Sequence, residues 1–364
     1  MPRCLVFIVL GLLAAGCEES HDELRIVVIP KGLTHEHWQS VHRGAERAAA
    51  DLGRERGLRV RIIWDGPLRE RDALAQIRIV DRRVSALVDG IALAPQHSQT
   101  MGAPVARAVK QGIPVVVIDS GLERADLIAK YVATNNYNGG VLAAEHLLKV
   151  LEADKRPTRN IVLLRYAVGS ESTEKREQGF EDRINRAISE QKSGEPPIQW
   201  LSKDKYAGAT VDSALKEARP LIGQFTSADG SCRIDGLFAP NESSAVGVLN
   251  ALKNLGQNKK VHLMGFDSSP PLLQAVADGN VDGLILQDPY RMGYLGVWFL
   301  VSKIQGDNIT ADGLEFGTGE YVITKDNVNS PETRALFDPD AQAARPSDGP
   351  SPVALRRGVK ITRP

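Results

Sequence analysis

The sequence has few cysteines and no excess of either charge. Its 364 residues contain three cysteines, and 45 basic side chains balance 45 acidic ones. A nucleic-acid-binding protein would carry an excess of Lys and Arg, so this balance argues against a nucleic-acid partner. Two cysteines, Cys4 and Cys17, belong to the N-terminal segment discussed below. Only Cys232 then remains, and we expect no disulfide in the fold.

Nucleotide, hydrolase and metal motifs are also missing. No GxGxxG follows the first strand-like run and no GxxxxGK[ST] occurs, which argues against dinucleotide and nucleotide-phosphate sites. GxSxG, CxxC and HExxH are absent as well. Beyond the N-terminal segment, no apolar stretch approaches about 18 residues without a charge or breaker, so we expect no further membrane span. We therefore predict a globular protein without a cofactor or a metal ion.

The N-terminal residues resemble an export signal. One positive charge precedes an apolar run from Cys4 to Ala15, which is too short to span a bilayer. The run ends in LAAGC, which resembles a bacterial lipobox with Ala14 in place of the usual Leu. We expect a signal peptide over 1–17 and a lipid on Cys17, which would anchor the protein in the periplasm or at the cell surface. The alternative is ordinary secretion with a chance cysteine.

From Leu24 onward, short apolar runs alternate with amphipathic stretches. LRIVVI has the composition of a buried strand, whereas HWQSVHRGAERAAADLG has helical apolar spacing and ends at a glycine. This alternation predicts parallel strands joined by right-handed crossovers. The pattern restarts after YVATNNYNGG, so we predict two doubly wound, Rossmann-like α/β domains in tandem. After Ser330 the sequence is rich in Pro, Asp and Ala, which predicts a disordered tail over 331–364.

Polar residues follow the predicted strands, where open parallel sheets bind ligands. THEHW follows the first strand and Asp119 the fourth, while Asn241 and Asp267 follow strands of the second half. Asp119, Asp267 and Asn241 could instead cap the following helices, and Arg176 lies in a charge run that could be solvated. THEHW could also support metal or acid–base chemistry. An enzyme is disfavoured because no second ligand set or nucleophile–base pair accompanies it.

From Leu24 to about Lys325 the chain resembles the type I periplasmic sugar-binding proteins of ABC importers, close to ribose-binding protein. Each motif is weak alone, but together they follow the order and spacing of that family. The segments are HWQSVHRGAERAAADLG, VVVIDSG, VATNNYNGG, EKREQGF, GLFAPNESSAVGVLNAL, HLMGFDSSP and LILQDPYRMG.

The resemblance implies two lobes joined by a three-crossing hinge. The lobes would comprise 24–134 with 288–319, and 135–287 with 320–330. The resemblance also nominates nine ligand-binding residues: His35, His37, Trp38, Asp119, Arg176, Tyr206, Asn241, Asp267 and Gln287.

The chain departs from that family at four positions of the implied pocket. The family often has Asn and Phe where this chain has His35 and His37, Arg where it has Ser120, and Asn where it has Ala94. Ribose is therefore not a safe assignment of the ligand.

The implied function is capture of a monosaccharide or sugar-like molecule by hinge closure, followed by delivery to an ABC transporter permease. Trp38 and Tyr206 would cover the C–H faces of the sugar, and the protein would act as a monomer without catalysis. The alternative is a receptor subunit that presents its closed state to a sensor kinase or chemoreceptor. A transcription regulator of this fold would need a helix-turn-helix before Leu24, where only the export signal and a few polar residues stand.

Overall fold

The computed structural model describes residues 23–70 and 72–346. The predicted signal peptide, Cys17 and residues 347–364 of the predicted tail lie outside these ranges. Within them, no helix has the length and apolar character needed to cross a bilayer.

The first lobe is built on a sheet of six parallel strands. Numbered in chain order, these are β1 Leu24–Ile29, β2 Val60–Trp64, β3 Gly90–Leu93, β4 Val115–Ile118, β5 Lys130–Ala133 and β11 Glu315–Gly317. They lie in the order β2–β1–β3–β4–β5–β11. The helices of this lobe are α1 Glu36–Arg56, α2 Ala73–Ser85, α3 Gly102–Lys110 and α9 Pro289–Ile304. One apolar cluster joins α1 and α9 to the sheet, and another joins α2 and α3 to its other face.

The second lobe repeats this arrangement. Its strands are β6 Arg159–Arg165, β7 Ile198–Tyr206, β8 Gly236–Phe238, β9 His262–Phe266, β10 Gly283–Leu286 and β12 Tyr321–Ile323. They lie in the order β7–β6–β8–β9–β10–β12, and only the β10–β12 pair is antiparallel within this described sheet. The helices are α4 Asn136–Ala153, α5 Glu171–Glu190, α6 Val211–Gly223, α7 Glu242–Asn254 and α8 Pro270–Ala277. The prediction of two doubly wound α/β domains is confirmed.

Three chain segments connect the lobes. They run from β5 to α4, from β10 to α9, and from β11 to β12. The strands β5 and β11 escaped prediction because they are short and contain charged residues. Lys130 opens β5, yet its side chain is buried and donates to the carbonyl oxygens of Ile309 at 2.8 Å and Gly313 at 2.7 Å.

The predicted disorder from residue 331 is wrong for residues 331–346. This segment forms two short helices, α10 Pro331–Phe337 and α11 Pro339–Ala343. Its Pro and Asp residues mark helix starts instead of disorder. Pro331 and Pro339 each occupy a first helical turn, and Ser330 and Asp338 cap the two helices through their side chains.

Residues 331–346, which we call the C-terminal strap, contact both lobes. Leu336 is buried in the apolar core of the second lobe. On the first lobe, Gln342 donates to the Ser40 hydroxyl of α1 at 2.8 Å. Arg345 forms a bidentate ion pair with Asp288, the N-cap of α9, at 2.6 and 2.9 Å. The strap therefore adds a further link between the lobes beside the three crossings.

Candidate functional site

The carboxyl ends of strands from both lobes face a common cavity. Seven of the nine nominated residues line it: His35, His37, Trp38, Asp119, Arg176, Asn241 and Asp267. The remaining lining residues, which the sequence analysis did not nominate, are Lys31, Glu70, Tyr166, Ser170, Ser172, Thr173 and Glu242. The cavity is therefore rich in charged groups.

Asp119 and Asp267 occupy equivalent positions in the two lobes, directly after β4 and β9. Both adopt a left-handed backbone conformation, with φ of 63° and 65°. This conformation is uncommon for residues other than glycine and often marks functional sites. Neither carboxylate caps a helix, because the chain bends after Asp119 and Ser269 is the N-cap of α8. The helix-cap alternative is therefore wrong for both residues.

The carboxylate of Asp119 is paired with two buried groups of its own lobe. Lys31 Nζ lies 2.9 Å from Oδ2, and His37 Nε2 lies 3.1 Å from Oδ1. Burial opposes ionisation, but the Lys31 charge and the contact with His37 hold the pKa of Asp119 well below its usual range. Lys31 also donates to Ser172 Oγ of the second lobe at 3.0 Å. A lysine in the short segment after β1 gave no sequence signal for this role.

Asp267 is held by groups of the second lobe. Gln287 donates to its Oδ1 at 2.5 Å, and Arg176 Nη1 lies 3.5 Å from its Oδ2. The Arg176 guanidinium stacks on the Phe266 ring at 3.8 Å and donates from Nε to Asn136 Oδ1 at 2.9 Å. Arg176 is therefore buried, and the solvated alternative is wrong. Gln287 lies behind the cavity wall and supports Asp267 from there.

Glu70 links the first lobe to the second and was missed because it lies in a charged segment, PLRERD. Trp38 Nε1 donates to its Oε1 at 2.7 Å, and the Tyr166 hydroxyl of the second lobe donates to Oε2. His35 Nδ1 lies 3.3 Å from Oε1.

Glu70 and His35 shift the pKa of each other in opposite directions. Burial opposes the charge on Glu70, yet His35, Lys31 and Tyr166 lower its pKa to about 2. Burial also opposes the charge on His35, but the hydrogen bond and charge of Glu70 raise the pKa of His35 to about 9. At neutral pH the two side chains therefore form a charged pair.

Asn241 and Glu242 begin α7 at the cavity wall. Asn241 Oδ1 accepts from the Ser244 backbone N–H at 3.1 Å, so the residue caps α7 as well as lining the cavity. Glu242 Oε2 is buried and has no hydrogen-bond partner among the described residues. Burial and the neighbouring Asp267 and Glu70 raise the pKa of Glu242 to about 7, against the opposing effect of the two histidines.

Tyr206, although nominated as a ligand contact, does not line the cavity. It is the last residue of β7, the strand at the edge of the second sheet. Its side chain is 46% exposed. Because β7 continues to residue 206, five residues beyond the predicted strand, the tyrosine stays on the sheet edge.

The metal alternative for THEHW finds no support in residues 23–70 and 72–346. No group of three or more His, Cys, Asp or Glu side chains there is arranged to hold a metal ion. His35 and His37 instead pair with Glu70 and Asp119. Two doubly wound lobes that enclose a polar cavity at their strand ends define a two-lobe solute-binding protein.

Comparison with known proteins gives the family. A model of the periplasmic binding protein domain matches residues 26–308, and the chain belongs to this family. It is 25% identical over 304 residues to the ribose import binding protein of Haemophilus influenzae, covering 84% of this chain and 93% of that protein. The chain is therefore a binding protein and not an enzyme.

Solved structures agree with this assignment. The periplasmic component of an ABC-type sugar transport system from Hahella chejuensis has a TM-score of 0.73 and 32% identity, over 82% of this chain and 99% of that one. A carbohydrate transporter solute-binding protein from Agrobacterium radiobacter, in complex with D-arabinose, has a TM-score of 0.75 and 29% identity. That alignment covers 88% of this chain and 100% of the Agrobacterium radiobacter chain.

Proposed function

We propose that this protein is an extracytoplasmic lipoprotein that captures a sugar or sugar-like molecule between its lobes and delivers it to an ABC transporter permease. The observation that carries the proposal is the cavity at the facing strand ends, whose wall combines carboxylates, a guanidinium and imidazoles from both lobes. Carboxylates accept from sugar hydroxyls, and Arg176 donates to them. Trp38 contributes the aromatic surface that suits C–H faces.

Contacts between the lobes support capture by hinge closure. Lys31 donates to Ser172 across the cleft, and Tyr166 donates to Glu70 in the opposite direction. The Gly121 backbone N–H donates to Glu171 Oε2 at 2.8 Å. A ligand that touches both walls stabilises the closed arrangement over an open one, because only closure provides both sets of contacts. The closed surface is then what a permease would recognise.

The relatives support the same class of ligand. The matched Haemophilus influenzae protein is named for ribose import, and the Agrobacterium radiobacter structure holds D-arabinose. The transport systems named for these relatives support delivery to a permease. Acylation of Cys17 would keep the lobes at the membrane surface where that permease lies.

A thermal-shift screen against sugars and polyols tests the proposal. A ligand that binds only the folded protein raises its melting temperature, by an amount that grows with ligand concentration. Asp267→Ala should abolish the shift and leave a folded protein, whereas Asp204→Ala, on the exposed part of β7, should keep it. If no sugar or polyol raises the melting temperature at millimolar concentration, the proposed ligand class is wrong.

A further inference from the structure

Three of the four carboxyl groups on the cavity wall face a cationic side chain. The pairs are Asp119 with Lys31 at 2.9 Å, Asp267 with Arg176 at 3.5 Å and Glu70 with His35 at 3.3 Å. Each pair balances one negative with one positive charge. The fourth carboxyl group, that of Glu242, forms no ion pair within 4.0 Å in the described part of the chain.

The surroundings of Glu242 leave its carboxyl group without a donor. Its Oε2 is buried and accepts no hydrogen bond from residues 23–70 and 72–346. The nearby His37 directs its ring nitrogens toward Asp119 and Asp267, at 3.1 and 3.9 Å. His35 is engaged by Glu70. A buried carboxyl oxygen without a donor is costly, and a ligand that donates to it would remove that cost.

The carboxyl group of Glu242 lines the cavity in surroundings that balance its charged and neutral forms. Glu242 is the first residue of α7, where the helix N-terminus stabilises negative charge. The groups that face it are His35 and His37, which favour ionisation, and Asp267 and Glu70, which oppose it. Together with burial, these four neighbouring groups bring the pKa of Glu242 to about 7. A positive charge placed next to Glu242 would therefore complete its ionisation at neutral pH.

We infer that the ligand is a polyhydroxylated molecule with one protonated amine, an amino sugar or amino polyol, and that Glu242 binds its ammonium group. The inference rests on the proposed function and narrows its ligand class. An ammonium group offers three donors and a positive charge, so it supplies both the missing hydrogen bond and the missing counter-charge. A neutral sugar hydroxyl supplies only a hydrogen bond and brings no positive charge to Glu242.

Isothermal titration calorimetry with matched ligands tests this inference. The pairs are D-glucose with D-glucosamine, D-galactose with D-galactosamine and D-mannose with D-mannosamine, and the N-acetylated forms serve as uncharged controls of larger size. At least one amino sugar should bind about tenfold or more tightly than both the parent sugar and the N-acetylated form, because a hydrogen bond between charged groups contributes that much binding free energy. Glu242→Gln, which keeps the shape of the side chain, should remove this preference. Glu217→Gln, on the exposed face of α6 in the same lobe, should retain it.

Two results would overturn the inference. One is equal or tighter binding of the uncharged forms, and the other is an amine preference that survives Glu242→Gln. Either result, with uncharged sugars bound, would leave the proposed sugar-binding function intact. Absence of binding by every sugar and polyol, charged or uncharged, would overturn both the inference and the proposed function.

Discussion

Replacing Asp119 with Asn should destabilise the first lobe, because it leaves the Lys31 ammonium group buried without its counter-charge. Both side chains are almost completely buried, and their charged atoms lie 2.9 Å apart. Asn has nearly the same shape as Asp and tolerates the left-handed backbone found at this position, where φ is 63°. The substitution therefore changes the charge with little change in backbone strain.

The size of the effect follows from the geometry of the pair. At 2.9 Å and an effective dielectric constant of about 20, the attraction is about 6 kcal/mol. Desolvation of both ions offsets much of this, and breaking one side of a buried pair costs about 3–5 kcal/mol. We expect about 3 kcal/mol for Asp119→Asn, the lower end of that range, because Lys31 keeps its hydrogen bond to Ser172.

Urea denaturation of a double-mutant cycle measures the pair directly. Lys31→Met should also destabilise the protein, because it leaves Asp119 without its cation. The double variant should be more stable than the sum of the single effects implies, with a coupling of about 2 kcal/mol or more. Asp126→Asn, in an exposed pair with Arg124, should leave the free energy of unfolding nearly unchanged. Additive single effects, or a loss below about 1 kcal/mol for Asp119→Asn, would refute the reasoning.

Two further predictions concern the links between the lobes. The Glu70–His35 pair should contribute to stability in full between about pH 4.5 and 6.5. That contribution should fall below pH 4.5 as Glu70 protonates near its folded pKa of about 2, and above pH 6.5 as His35 loses its proton near about 9. We therefore expect the melting temperature of Glu70→Gln, measured from pH 3 to 10, to change less steeply than that of the parent protein at both the acidic and the basic end of this range. In the C-terminal strap, Arg345→Ala removes a bidentate ion pair at the start of α9 and should increase hydrogen exchange in 331–346 by about tenfold or more.

Each of these predictions has an outcome that would contradict it. If Glu70→Gln and the parent protein show the same dependence of melting temperature on pH, folding does not shift the pKa values of Glu70 and His35 as the geometry of the pair implies. Exchange in the strap that is as slow in Arg345→Ala as in the parent protein would show that the other contacts, such as the packing of Leu336 and the hydrogen bond from Gln342 to Ser40, anchor it without the ion pair. Arg334→Ala, whose partner Asp338 lies within the strap, is the matched control because it breaks no contact with the first lobe.

The sequence predicted the secondary structure wherever apolar periodicity was strong. LRIVVI became β1 with the predicted bounds, Leu24–Ile29. Prediction failed where an element draws its stability from partners remote in sequence. β5 begins with a buried lysine whose ammonium group is paired with the Asp312 carboxylate and with the carbonyl groups of residues 309 and 313. The strap lacks an apolar period because few of its side chains, chiefly Leu336 and Gln342, are buried.

The candidate site was predictable where its residues follow strands. Parallel strands bring their carboxyl ends to one edge of a sheet, so Asp119 and Asp267 could be placed in the cleft from order alone. Lys31 and Glu70 could not, since isolated charged residues in loops are usually solvated. Tyr206 was misplaced because the end of an edge strand cannot be located from its composition.

The amino-acid sequence by itself determined the two-lobe α/β architecture and the strand ends at which a ligand would bind, because both follow from local periodicity and chain order. Only the tertiary structure decided how the charged groups of the cavity are paired. It joined Lys31 to Asp119, His35 to Glu70 and Arg176 to Asp267. Partners of this kind come from different elements, at distances that no sequence spacing encodes. Their pairing leaves Glu242 Oε2 without a hydrogen-bond partner among the described residues.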